Sequence, residues 1–122
     1  MKFSCSVCDK NYDSSKVPIW LCDCGKPLVV HYNWENKVKS IDVIEDELSL
    51  WRYKSVLPDI ETVISLGEGH TPLIPISNNV YVKDETVNPT GSFKDRGMAL
   101  AVTMAKAQGV ETICLPSAGN AG

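Results

Sequence analysis

The chain has 122 residues, 43% of them apolar, and a formal net charge of −3 from 12 Lys and Arg against 15 Asp and Glu. That length allows about one domain with its own core, and no basic run supplies the clustered footprint of a nucleic-acid binder. The longest apolar stretch, Met98 to Ala105, is too short to span a bilayer, and the start Met1-Lys2-Phe3-Ser4-Cys5 lacks a secretory apolar core, so the chain reads as cytoplasmic, with no membrane or nucleic-acid partner.

Three regions differ in character: a cysteine-rich head over 1–34, a mixed linker over 35–66, and a segment over 67–122 that alternates strand and helix patterns. The head carries four of the five cysteines. Cysteines in a reducing compartment point to metal before disulfide. Cys5-x2-Cys8 and Cys22-x-Cys24 are separated by thirteen residues, and four thiolates in two close pairs can make a tetrahedral zinc site. The second pair is tighter than the usual Cys-x2-Cys, and His31 is an alternative ligand. Structural zinc on Cys5, Cys8, Cys22 and Cys24 therefore stands beside a reading of unmetallated cysteines.

In the linker, a helix is expected from Asp42 to Lys54. Asp42 and Glu45 suit a capping box; Glu45, Asp46 and Glu47 lie early, and Arg52 and Lys54 late, as the helix dipole favours. Ile44, Leu48 and Trp51 would form its buried face, and Leu57-Pro58 would end it. From Gly67 to Leu73 the composition is that of a loop, with His70 a polar loop residue. Val80-Tyr81-Val82-Lys83 reads as a short strand. Asn88-Pro89-Thr90-Gly91 is a turn, Ser92 an N-cap with Asp95 three residues on, and Met98, Ala101, Val102 and Ala105 an apolar stripe at helical spacing. Gly109 is a helix stop. Thr112 to Pro116 reads as a second strand, with Cys114 in the core. Strand, helix and strand at this spacing predict a βαβ unit in a parallel sheet.

Lys94 then falls in the first helical turn. The dipole disfavours a cation there, which biases the amine toward the neutral form that attacks a carbonyl. A lone lysine is more often a solvated surface group; the residues around this one change that balance. Asp95 and Arg96 read as a cap and an ion pair, and Phe93 as core.

Gly67-Glu68-Gly69-His70-Thr71-Pro72-Leu73, Lys83-Asp84-Glu85 and Asn88-Pro89-Thr90-Gly91-Ser92-Phe93-Lys94-Asp95-Arg96-Gly97 resemble the threonine synthases. These belong to the fold type II enzymes that use pyridoxal phosphate, the tryptophan synthase beta-like family. Leu50-Trp51-Arg52-Tyr53 with Leu57-Pro58, and Ser117-Ala118-Gly119-Asn120, fit the same pattern, so the resemblance covers nearly the whole chain. It implies an α/β fold and a lyase that converts O-phospho-L-homoserine and water to L-threonine and phosphate. It also implies that Lys94 carries pyridoxal 5'-phosphate through its amine, and that Asn120 bonds the ring oxygen. Ser117 with the amides of Ala118, Gly119 and Asn120 would hold the substrate carboxylate.

The resemblance covers only about the first third of such an enzyme, without the downstream glycine-rich phosphate loop. This stretch alone is therefore expected to be inactive and to bind the cofactor weakly. Cysteate synthase, a threonine or serine dehydratase, and a non-catalytic zinc-binding module are the alternatives. The sequence leaves oligomeric state open, with a homo-oligomer among the options.

Overall fold

A computed structural model describes residues 2–13, 20–32 and 43–121. The chain divides into two units, 1–41 and 42–122.

In the first unit, β1 (Lys2–Cys5) is the centre of a three-stranded antiparallel sheet. β2 (Asn11–Tyr12) pairs with it through Phe3 opposite Tyr12, and β3 (Leu28–His31) through Phe3 opposite Val30 and Cys5 opposite Leu28. Alternation along β1 buries Phe3 and Cys5 and leaves Lys2 exposed, as the period of two requires. The Cys5–Cys8 turn leaves the end of β1, and Lys10 closes it by accepting the Cys5 N–H at 2.9 Å. The second turn is closed by the Cys22 N–H on Lys26 O at 2.8 Å, with Gly25 at φ +76°.

The second unit opens differently from the expected helix over 42–54. Asp42 lies outside the described residues, and 43–49 form turns and coil. Helical structure begins only at Leu50, as a 3-10 helix over Leu50–Val56 that Ser49 caps by accepting the Trp51 N–H at 3.2 Å. Ile44 and Leu48 are exposed, and of the expected apolar face only Trp51 is buried, at 3%. The physical reason is local. Glu47 accepts the Ser49 N–H at 2.7 Å, and the side chains of Glu47 and Ser49 together offer the backbone a cap seven residues after the one expected at Asp42. The segment ends at Leu57-Pro58 as expected.

β4 (Leu73–Ser77) and β5 (Val80–Lys83) form an antiparallel hairpin with a register shift between Pro75 and Ser77. A 3-10 turn over Glu85–Val87 and the Asn88–Gly91 turn lead into α1 (Lys94–Ala107). α1 ends in a Schellman motif. Gly109, at φ +72°, donates to Lys106 O at 3.0 Å, and Val110 donates to Ala105 O at 3.0 Å, which satisfies the last carbonyls.

Two expectations about this region are corrected. The buried stripe of α1 is Asp95, Ala99 and Thr103, with Ala99 and Thr103 one position on from Met98 and Val102, while Ala105 is half-buried and Ala101 exposed. It faces polar loop backbone, so small and hydrogen-bonding side chains occupy it. The expected strand over 112–116 is absent: these residues, Cys114 included, are exposed and unpaired in any ladder. A parallel strand of this apolar kind holds only with neighbours that cover both faces. The βαβ unit is thus not formed among the described residues, whose strands pair antiparallel.

Candidate functional site

The turn before Lys94 is built around one carboxylate. Asp95, buried, accepts the Thr90 N–H at 2.8 Å and also the Thr90 hydroxyl. Ser92, also buried, accepts the Lys94 N–H at 3.2 Å, and Gly91 supplies φ +76°, which other residues adopt only with strain. The N-cap position falls on Phe93, not on Ser92 as expected; the Ser92 hydroxyl bonds the first helical amide from one place earlier, and Asp95 reaches back to Thr90 and is not the capping-box partner of Ser92. These bonds fix Lys94 at the first residue of the helix.

The Lys94 side chain is exposed, with Nζ 4.4 Å from the centroid of the Phe93 ring. Among the described residues no carboxylate lies within ion-pair distance of this amine. Phe93 itself is exposed, not core: the helix turns its small and polar residues inward and leaves the ring to solvent and the lysine. An exposed primary amine without a carboxylate partner is free to condense with an aldehyde.

Arg96 braces the other side of the turn. Its guanidinium holds Glu85 through Nε at 2.8 Å and Nη2 at 2.9 Å, and Nη2 also reaches the Thr71 hydroxyl at 3.1 Å. Arg96 first, then the Thr71 hydroxyl, holds the Glu85 carboxyl well below its usual range, at about 2. Asn88 completes the brace, donating to Glu85 Oε2 at 2.9 Å and accepting the Gly69 N–H at 3.0 Å. The ion pair expected of Arg96 is therefore present, and it ties α1 to the Gly67–Leu73 loop.

That loop is organised by Glu68, which the reading of single residues passed over. Glu68 is fully buried and its Oε2 accepts the Ser65 hydroxyl at 2.9 Å and the Leu66 N–H at 2.8 Å. The signal was a carboxylate between two glycines: Gly67 and Gly69 stand at φ +86° and +116° and let the chain curl around it.

Asn120 lies with Ala121 in the lining of a mainly apolar cavity of about 270 Å3, beside Thr90, Asp95 and Met98. Lys94 is not part of that lining. Ser117, Ala118 and Gly119 are exposed, and Ser117 Oγ accepts the N–H groups of Gly119 and Ala121 at 3.0 and 3.1 Å. Two amides thus converge on a single oxygen. His70, at φ +47°, accepts from Arg52 at 3.3 Å, away from Lys94.

In the first unit the four head cysteines meet. All four sulfurs lie within 4.8 Å of one another, with Cys5–Cys24 and Cys8–Cys22 at 3.6 Å and Cys8–Cys24 at 3.9 Å. A tetrahedral dication with sulfur at about 2.3 Å sets sulfurs about 3.8 Å apart, so the set could hold one. Hydrogen bonds to thiolate sulfur are in place: the Val7 and Cys8 N–H groups donate to Cys5 at 3.4 Å, and the Tyr12 hydroxyl to Cys22 at 3.1 Å. The Tyr12 bond, more than any other contact, lowers the Cys22 thiol to about 6. Cys22, hydrogen-bonded to Cys24, raises the Cys24 thiol to about 12. His31 bonds Ser4 at 2.7 Å and stands outside the cluster.

Residues 64–122, which contain the Lys94 turn, match the family of pyridoxal-phosphate dependent enzymes. Within it, the chain is similar to threonine synthases. It is 41% identical to that of Methanocaldococcus jannaschii over 95% of this chain and 32% of the relative, and 34% identical to that of Methanosarcina acetivorans over 95% and 31%. The threonine synthase of Halalkalibacterium halodurans is 49% identical over 60% of the chain and 25% of the relative. The chain spans about a third or less of the length of these relatives. No solved structure matches it significantly. None of its helices is long and apolar enough to cross a membrane among the described residues.

Proposed function

We propose that the chain is the N-terminal part of a threonine synthase, a lyase that converts O-phospho-L-homoserine and water to L-threonine and phosphate. The observation that carries the reading is Lys94: an exposed amine on an Asp95-clamped turn, inside the segment that matches pyridoxal-phosphate dependent enzymes. The 41% identity over 95% of the chain supports threonine synthase within that class. The fold would be the fold type II α/β arrangement, with 1–34 as a metal-holding head and 67–122 as the start of the catalytic region.

Pyridoxal phosphate, when bound, supplies the electron sink for carbanions next to the substrate amine. The chain's own residues do the rest. Lys94 would hold the cofactor through its amine, and the same amine would move protons at Cα and Cβ of the substrate, a task for a group that can alternate between amine and ammonium. Asn120 donates to the cofactor's ring oxygen without adding charge. The Gly119 and Ala121 amides already point at one oxygen, Ser117 Oγ; a substrate carboxylate with Ser117 can take the same donors. Asp95, Glu85 and Arg96 position Lys94 and touch no substrate. Cys5, Cys8, Cys22 and Cys24 hold a structural zinc; their sulfur spacing supports this.

The test joins this chain to the C-terminal two thirds of the Methanocaldococcus jannaschii enzyme and measures phosphate release. Release from O-phospho-L-homoserine in preference to O-phosphoserine, abolished by Lys94→Ala, is expected. A preference for O-phosphoserine would move the assignment to cysteate synthase, and no release from either would reject threonine synthase.

A further inference from the structure

A second cleft, of about 640 Å3, opens in the second unit, and Lys94 is not among the residues that line it. Its wall carries Arg52, Lys83 and Arg96 against a single carboxylate, Glu85, and so has a formal charge of +2 in a chain whose net charge is −3. Glu85 has no capacity left for a ligand: Arg96, the Thr71 hydroxyl at 2.6 Å and Asn88 already occupy it. Lys83 donates to the Thr71 carbonyl and has further N–H donors to give.

Arg52 is the unusual group. Its Nε is buried and has no hydrogen-bond partner, while Nη1 lies 3.3 Å from His70 Nδ1. Arginine only donates, so Nδ1 is the acceptor and in neutral His70 the proton sits on Nε2, a further donor. The cleft is thus rich in donors and positive charge and poor in free acceptors. A buried donor left unpaired is costly and rare in native proteins, and the partner that this wall lacks is an anionic oxygen. Guanidinium groups match the planar spacing of carboxylate and phosphate oxygens.

We propose that this cleft binds a small oxyanion, carried on a phosphate or carboxylate group, through Arg52, His70 and Lys83. Lys94 does not line it, and the Glu85–Arg96 pair in its wall also braces the turn that presents Lys94.

The test titrates the full chain with inorganic pyrophosphate and, separately, with citrate, following heat and backbone amide shifts. Saturable one-site binding of at least one anion is expected, half-saturated below about 1 mM, the range open to a few charge-assisted hydrogen bonds. The shifts should centre on Arg52, His70 and Lys83. Arg52→Gln and Lys83→Gln should each weaken binding by about tenfold or more, and Lys106→Gln, which removes the same charge from the last turn of α1, should not. The tighter of the two probes identifies the oxyanion as phosphate or carboxylate. Absence of saturable binding to both, shifts centred elsewhere, or equal weakening by Lys106→Gln would each overturn the proposal. The wild-type shift map decides the matter even where a variant fails to fold.

Discussion

The hydroxyl of Thr103 holds both backbone groups of Ile64, accepting its N–H at 2.8 Å and donating to its carbonyl at 3.3 Å. One fully buried side chain on α1 therefore anchors the strand of chain that leads into the Gly-Glu-Gly loop, about two and a half turns from Lys94. The carbonyl of Ile64 also accepts the indole N–H of Trp51 at 3.2 Å, so the 3-10 helix, the loop and α1 share one point of attachment.

Thr103→Val keeps the shape and removes both bonds. A buried N–H left unpaired costs about 1–3 kcal/mol, so the unfolding free energy should fall by that amount, whereas Thr103→Ser, which keeps the hydroxyl, should lose less. Equal stability of Thr103→Val and wild type would contradict the role given to this contact.

Gly69→Ala meets two obstacles at once. The residue stands at φ +116°, and an added Cβ would lie 3.0 Å from Leu50 N and 3.1 Å from Ser49 C. Backbone cannot yield as a side-chain tip would, and the Leu50 N–H bond to Glu68 O, 2.7 Å, would be strained. A loss of about 2 kcal/mol or more is expected from thermal or urea unfolding. Gly97→Ala, inside α1 with open space around it, is the control and should be neutral or stabilising.

Acid should weaken the brace between Glu85 and Arg96 in a defined window. The Glu85 carboxyl is held at about 2 against an ordinary 4.5. A depressed folded value means the contribution is complete above pH 4.5 and is lost as pH falls toward 2. Urea midpoints of wild type and Glu85→Gln should differ most at neutral pH and converge between pH 4.5 and 2. A gap that does not change across that window would show that the charge of Glu85 is unimportant.

The head should hold one zinc per chain. Removal of metal by a chelator should unfold the 1–41 unit, seen as loss of the Phe3 and Cys5 amide protection, because two cysteine-bearing turns have little apolar core to hold them. Cys22→Ser should abolish stoichiometric binding. A chain that purifies without metal, and whose head stays protected after chelation, would mean that the cysteines are structural thiols only.

Some of this was legible in the sequence, and the reasons divide cleanly. Val80–Lys83, the stop at Gly109, the break at Leu57-Pro58 and the cysteine pairs rest on local chemistry, and local chemistry is what a sequence states. The helix expected over 42–54 failed because Ser49 as well as Asp42 can cap a helix that contains Trp51, and the choice lies with Glu47 and the Glu68 carbonyl. The buried stripe of α1 was misplaced because its partners are loop amides, which select Asp95 and Thr103 over Met98 and Val102. Thr112–Pro116 is apolar enough for a strand, but pairing depends on neighbours far away in sequence. Glu68 and the Glu85–Arg96 brace are non-local in the same way, and only the glycines around Glu68 hinted at its burial.

The most direct test of the account is to incubate the chain with millimolar pyridoxal phosphate, reduce with borohydride, and map the modified peptides by mass. The account predicts weak uptake but modification concentrated on Lys94, the exposed amine presented by the Asp95-clamped turn. Modification spread evenly over Lys54, Lys83, Lys94 and Lys106 would show that Lys94 is one surface lysine among several, and would contradict it.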